Sequence, residues 1–154
     1  SSFRATAFRI GEIDRVAHHF GPSQGGIPST TSTPDTLGGV ACGRTEIHLP
    51  HWAGVEQQHG FVHGGVVGMI ADSAAGYAAM TMVLATDSVL TVEYKMNLVA
   101  PADGEKLIAR GRVVRPGKTL IITQAEVFAV KDGRETLCAL MQQTIMVMHG
   151  KTEK

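Results

Sequence analysis

Two hydrophobic periods run along the chain, and the point where one gives way to the other organises it. Residues 64–86 form a 23-residue stretch whose single charge is Asp72. Within it Met69, Ala75 or Gly76, Met80 and Val83 share one helical face, which predicts a rod of about 21 residues and roughly 30 Å. From Ser88 the period drops from 3.6 to 2. Leu90, Val92, Tyr94, Met96 and Leu98 fall on one side, and Thr91, Glu93, Lys95 and Asn97 on the other. That alternation predicts a half-buried strand over residues 88–99. A turn at Pro101-Ala102-Asp103-Gly104 leads to further strands over 106–115, 118–131 and 134–148. Pro116-Gly117 and Asp132-Gly133 separate them, and Asp-Gly is a strong two-residue hairpin signal. Short turns imply antiparallel pairing.

Upstream of the helix the pattern is weaker. Residues 40–50 alternate and end at Pro50, which predicts one strand; 51–62 read as a loop. Ile10, Ile13, Val16, Ala17 and Phe20 suit a short amphipathic helix within 3–20. In residues 21–39, 15 of 19 positions are Gly, Pro, Ser or Thr, the composition of a flexible loop. The expected division is therefore a helix and loop over 1–39 and a folded body over 40–150. The expected class is α+β: one strand, one long apolar helix, then a four-strand meander that wraps it.

Composition narrows this further. The chain has 154 residues, 44% of them apolar and 18% charged. That suits one domain able to bury roughly 70% of its unfolded surface, and it argues against disorder. A net charge of zero argues against a basic nucleic-acid binder. By length residues 64–86 could cross a membrane. They are rich in Ala and Gly, carry a central charge and lack basic flanks, which fits a helix buried by a sheet instead. Arg4, Arg9 and Arg15 interrupt every early apolar run, unlike a signal peptide. Cys42 and Cys138 form no ligand pattern and read as reduced thiols in a cytoplasm. The neutral total hides a segregation. No Lys or Arg lies between Arg44 and Lys95, whereas 106–118 holds Lys106, Arg110, Arg112, Arg115 and Lys118 and no acid.

The candidate chemistry centres on residues 57–65, which read QQHGFVHGG, together with Asp72. Gly64 and Gly65 open the helix, where free N–H groups and the dipole can hold a developing oxyanion. His63 stands at that entrance and can polarise a carbonyl. A carboxylate inside an apolar helix is costly unless paired or placed in a cleft, which marks Asp72 as a candidate functional group. His59 and His63 are four apart, but glycines place them in a loop and no HExxH motif is present, so no metal site is expected. Neither a phosphate-binding glycine loop nor a serine-nucleophile motif occurs.

Gly60-x-x-His63-Gly64-Gly65 with Asp72, Thr91-Val92-Glu93-Tyr94-Lys95, Pro101-Ala102-x-Gly104 and Gly111-Arg112-Val113-Val114-x-x-Gly117-Lys118 together resemble the hotdog-fold acyl-CoA thioesterases. The branch is similar to the phenylacetate-degradation, PaaI-type group, over roughly residues 40–148. The resemblance implies a homodimer or homotetramer with active sites between subunits, and an acyl-CoA substrate whose CoA is not a separate cofactor. It implies Asp72 as nucleophile or general base, the Gly64 N–H as thioester-oxygen donor, and His63 as a positioning group. Gln57 stands where the family usually has Asn, and Thr91 where it often has Ser or Thr near the attacking water. Gly65 would contact substrate, and Arg115, Gly117 and Lys118 would meet the CoA phosphates, with Arg110 and Arg112 as further basic candidates. A non-catalytic acyl-CoA-binding protein, a hydroxyacyl-thioester dehydratase or hydratase, and a purely structural domain remain as alternatives.

Overall fold

The computed structural model describes residues 37–151. The helix expected within 3–20 and most of the loop to 39 lie outside the described residues. The elements are β1 (Leu37–Ala41), β2 (Arg44–Pro50), a 3-10 turn (Ala53–Val55), α1 (Gly64–Met80), β3 (Ser88–Leu98), β4 (Lys106–Arg115), β5 (Leu120–Lys131) and β6 (Arg134–Met148). The strands form one antiparallel sheet in the order β1-β2-β4-β5-β6-β3. The α+β expectation of one helix wrapped by an antiparallel sheet holds. Among the described residues no helix is long and apolar enough to cross a membrane.

The single strand expected over 40–50 is a hairpin. Cys42-Gly43 turns the chain, with Gly43 at φ 71, a conformation glycine adopts without strain. The expected four-strand meander has three strands, β4-β5-β6. β3 crosses to the far side and pairs with β6, where it becomes a sheet edge.

The helix is shorter than its apolar run. It ends at Met80 after 17 residues, a rod of about 25 Å. The Thr81 hydroxyl donates back to the Ala78 carbonyl at 2.7 Å and accepts the Gly43 N–H at 2.6 Å. The helix stop is thus tied to the first hairpin. The face turned to the sheet is Val67, Ile70, Ala71, Ala74, Ala75, Ala78 and Ala79, while Met69 and Met80 are only half-buried. Small side chains win that face because the helix lies very close to β4. A Cβ on Gly111 would collide with the Ala74 carbonyl. Leu107, Ala109, Ala125, Val127, Ala139 and Met141 complete this core.

β3 departs from simple alternation. Its register against β6 slips between Thr91 and Glu93, so Thr91 pairs with Ile145 and Glu93 with Thr144. The bulge puts Thr91 on the helix side, with Tyr94 and Met96 rather than with Glu93 and Lys95. It is the correction to the sequence reading with most consequence for the site. Nor is the strand half-buried within one chain: Leu90, Val92, Tyr94 and Leu98 are each 50–58% exposed.

Candidate active site

The loop before α1 is held from several sides. The 3-10 turn precedes a single bridge between Glu56 and Val62. The Gln57 N–H donates to the Phe61 carbonyl at 2.8 Å, the Val62 N–H to Ala102 at 3.0 Å and the His63 N–H to Val55 at 2.8 Å. These bonds deliver His63 to the N-cap of α1.

His63 then sets the first turn. Its Nδ1 accepts the Gly65 N–H at 2.9 Å, and its carbonyl accepts the Val66 and Val67 N–H groups at 2.9 and 3.1 Å. With Nδ1 used as an acceptor, the neutral ring carries its proton on Nε2, a donor without a partner among the described residues. Among the described residues the Gly64 N–H is the one first-turn amide without an acceptor. Gly65, expected to contact substrate, seats the cap through its amide. A Cβ there would stand 3.1 Å from the His63 Nδ1.

Gly64 opens onto a cleft of about 530 Å³ lined by Gln57, Phe61, His63, Val67, Leu98 and Cys138, among others. Gln57 thus shares the cleft with His63 and Gly64. Cys138 is buried, and its thiol donates to the Val127 carbonyl at 3.3 Å. Burial pushes that thiol above its ordinary range, which keeps it a protonated spectator rather than a nucleophile.

Asp72 is half-buried and lies elsewhere. Eight residues separate it from Gly64, about 12 Å along the helix axis. The Thr91 hydroxyl donates to Asp72 Oδ1 at 2.8 Å, and the Gln143 amide donates to the same oxygen. The Gln143 amide also reaches the Thr91 hydroxyl at 2.7 Å, and its carbonyl oxygen accepts the Thr123 hydroxyl at 3.3 Å. Oδ2 has no partner among the described residues. The structure therefore brings together two of the candidate residues, Asp72 and Thr91, and adds Gln143 and Thr123, which the sequence reading passed over. Thr91 spends its one proton on Asp72, which places it as that carboxylate's neighbour.

The basic stretch divides. Arg110 is held by Glu46 at 2.8 Å and by Glu135 in a two-pronged pair at 2.6 and 2.8 Å, and it stacks over Phe128. These partners hold Arg110 above and Glu135 below their ordinary ranges. Glu46 is lowered first by His48 and then by Arg110. Arg110 is thus neutralised within the sheet and is withdrawn as an anion-binding candidate. Arg112 donates to Gln124. Arg115 and Lys118 are exposed and carry no ion pair among the described residues, and Gly117 lies in the turn between them. No group of three or more His, Cys, Asp or Glu among the described residues is arranged to hold a metal.

Comparison with known proteins places these features in company. The family model described as the thioesterase superfamily matches residues 59–136. An esterase-named protein of Saccharolobus solfataricus is 33% identical over 92 residues, covering 60% of this chain and 64% of that protein, just under two thirds of its length. The crystal structure of a thioesterase family protein from Silicibacter pomeroyi is 41% identical, with a TM-score of 0.73, covering 74% of this chain and 84% of that one. A Bacillus halodurans protein solved with CoA is 26% identical, with a TM-score of 0.62, covering 67% of this chain and 66% of that one.

Proposed function

Because the chain belongs to the thioesterase superfamily, we propose that it hydrolyses acyl-CoA thioesters to the free acid and CoA. One observation carries the reading. The Gly64 N–H beside an apolar cleft and the Oδ2 of Asp72, each without a partner among the described residues, are complementary halves of such a site, set about 12 Å apart on one helix. A thioester carbonyl needs its donor and its nucleophile within about 3 Å of its own atoms. One chain cannot meet both demands, so the working site takes Gly64 from one copy and Asp72 from another.

In this mechanism the thioester oxygen docks on the Gly64 N–H, with His63 Nε2–H as a second donor. Asp72 of the second copy attacks the carbonyl carbon, or takes a proton from a water that attacks. The oxyanion at Gly64 collapses, the carbon–sulfur bond breaks and the CoA thiolate leaves. A water attack gives the free acid directly, whereas attack by Asp72 gives an acyl–Asp72 anhydride that a water then hydrolyses to the acid, restoring the carboxylate. Gln57 stands at the wall of the cleft, where its amide can hold the attacking water or the thioester. His63 serves as a donor here. Accepting a proton at Nδ1, as a dehydratase base would, requires breaking the cap on Gly65.

The second copy has a natural seat. β3 is a sheet edge whose apolar side chains are half exposed, the kind of surface that pairs with a copy of itself. That supports a homodimer, or a homotetramer built from dimers. CoA as the carrier rests on the exposed Arg115 and Lys118 and on the CoA complex of the Bacillus halodurans relative. Release of free thiol from short, medium, long and aromatic acyl-CoAs tests the activity. Asp72→Asn is expected to abolish release while leaving the thermal midpoint near that of wild type. Undiminished release by Asp72→Asn would overturn the assignment.

A further inference from the structure

Gln143 is 1% exposed and stands on the inner face of β6, directly opposite Thr123 of β5, itself fully buried. A buried amide is costly unless its groups are satisfied, and this one is fully used. Its two N–H bonds go to Asp72 Oδ1 and Thr91 Oγ1, and its oxygen takes the Thr123 hydroxyl. Which end of the amide faces Asp72 follows from charge. Turned round, the carbonyl oxygen would face a carboxylate oxygen, two acceptors with no proton between them. With the amide turned that way, its oxygen accepts the Thr123 hydroxyl proton, which holds that end in place.

We propose that Gln143, oriented by Thr123, is a positioning residue for the thioester hydrolysis proposed above. Two donors, Thr91 and Gln143, converge on Oδ1 and stop the carboxylate from rotating, so Oδ2 is always the oxygen presented to the substrate or its water. The inference rests on the reading of Asp72 as the reacting group. It adds three things: which oxygen reacts, what holds it, and that the holding extends two strands into the sheet. Displacing a reacting atom by about 1 Å costs about 10²-fold in rate without weakening substrate binding.

The test compares Thr123→Val, Thr123→Ser and Gln143→Met in the full chain, with acyl-CoA hydrolysis and thermal melting measured on each. Thr123→Val keeps the shape and removes the donor. It is expected to lower kcat about 10-fold or more with KM unchanged. Thr123→Ser, which returns the hydroxyl, is expected to recover kcat. Gln143→Met, which removes both donated bonds, is expected to fall at least as far as Thr123→Val. If Gln143→Met does not fold, the Thr123 pair decides alone. Equal kcat in Thr123→Val and Thr123→Ser, or a loss carried by KM, would overturn the proposal while Asp72→Asn remains inactive. Retained hydrolysis in Asp72→Asn would instead overturn the underlying reading, and the inference with it.

Discussion

Gly64 carries its proposed chemistry on one backbone N–H, and that atom can be removed cleanly. Proline is at home in the first helical position, because the amide it lacks is unpaired there in any case. His63, with φ −59 and ψ 135, already has the extended backbone that a following proline demands. Among the described residues, the atom that comes close to an added Cβ is Leu98 Cδ1 at 3.1 Å, the end of a flexible side chain. Gly64→Pro is therefore expected to fold normally and lose about 10²–10³-fold in kcat. Steady-state kinetics with a melting curve checks it, and an unimpaired kcat would remove Gly64 from the site. At this scale the sequence was informative about groups clustered along the chain. Gln57, His63 and Gly64 sit in one short motif, and Asp72 shows itself as the lone charge in an apolar helix. Gln143 lies 71 residues from Asp72, so spacing could not join them. Its signal was a different one. Ala139, Met141, Gln143, Ile145 and Val147 occupy alternate positions, and a polar residue breaks that inward apolar row. Thr123 interrupts the matching row of β5 in the same way.

Elements are placed to an accuracy that single residues depend on. The β3 bulge shows why. Alternation assigned Thr91 to the polar side with Glu93 and Lys95, and the inserted residue moves it to the helix face beside Asp72. Bulges leave no mark in a two-residue period, so the alternation could not show this placement, and Thr91 entered the candidate site through the family resemblance alone. The first hairpin was missed for a related reason: Cys42-Gly43 carries a weaker turn signal than Asp132-Gly133. That second turn was read correctly, and both its residues have positive φ, 50 and 75. The helix-to-sheet distance is a further property of elements, set by Gly111 against Ala74. Gly111→Ala would push α1 away from β4 and is expected to cost about 1–3 kcal/mol, read as a lower thermal midpoint. An unchanged midpoint would show that the close approach is not what holds the helix in place.

At the scale of the molecule, a single chain carries both halves of the proposed site but joins neither to the other. The charge segregation seen in the sequence is only partly explained by this. Arg110 is absorbed by Glu46 and Glu135. Arg115 and Lys118 lie at the end of β4 opposite Lys106, which ten residues of strand put about 30 Å from the Lys106 end. In the proposed site they would serve the cleft of a second copy. Reversing both charges with Arg115→Glu and Lys118→Glu is expected to raise KM for acyl-CoA well above that for a thioester truncated before the phosphates. Equal changes for the two substrates would return the turn to an ordinary solvated role. The claim on which the rest depends is that Gly64 and Asp72 act across two copies, and subunit mixing tests it most directly. Asp72→Asn and Gly64→Pro, each inactive alone, would be co-expressed with different tags and the mixed dimer purified. In that dimer one site joins an intact Gly64 to an intact Asp72 and the other has neither, so about half the wild-type rate is expected. A mixed dimer as inactive as its parents would contradict the account, because it would place both groups in the site of a single chain.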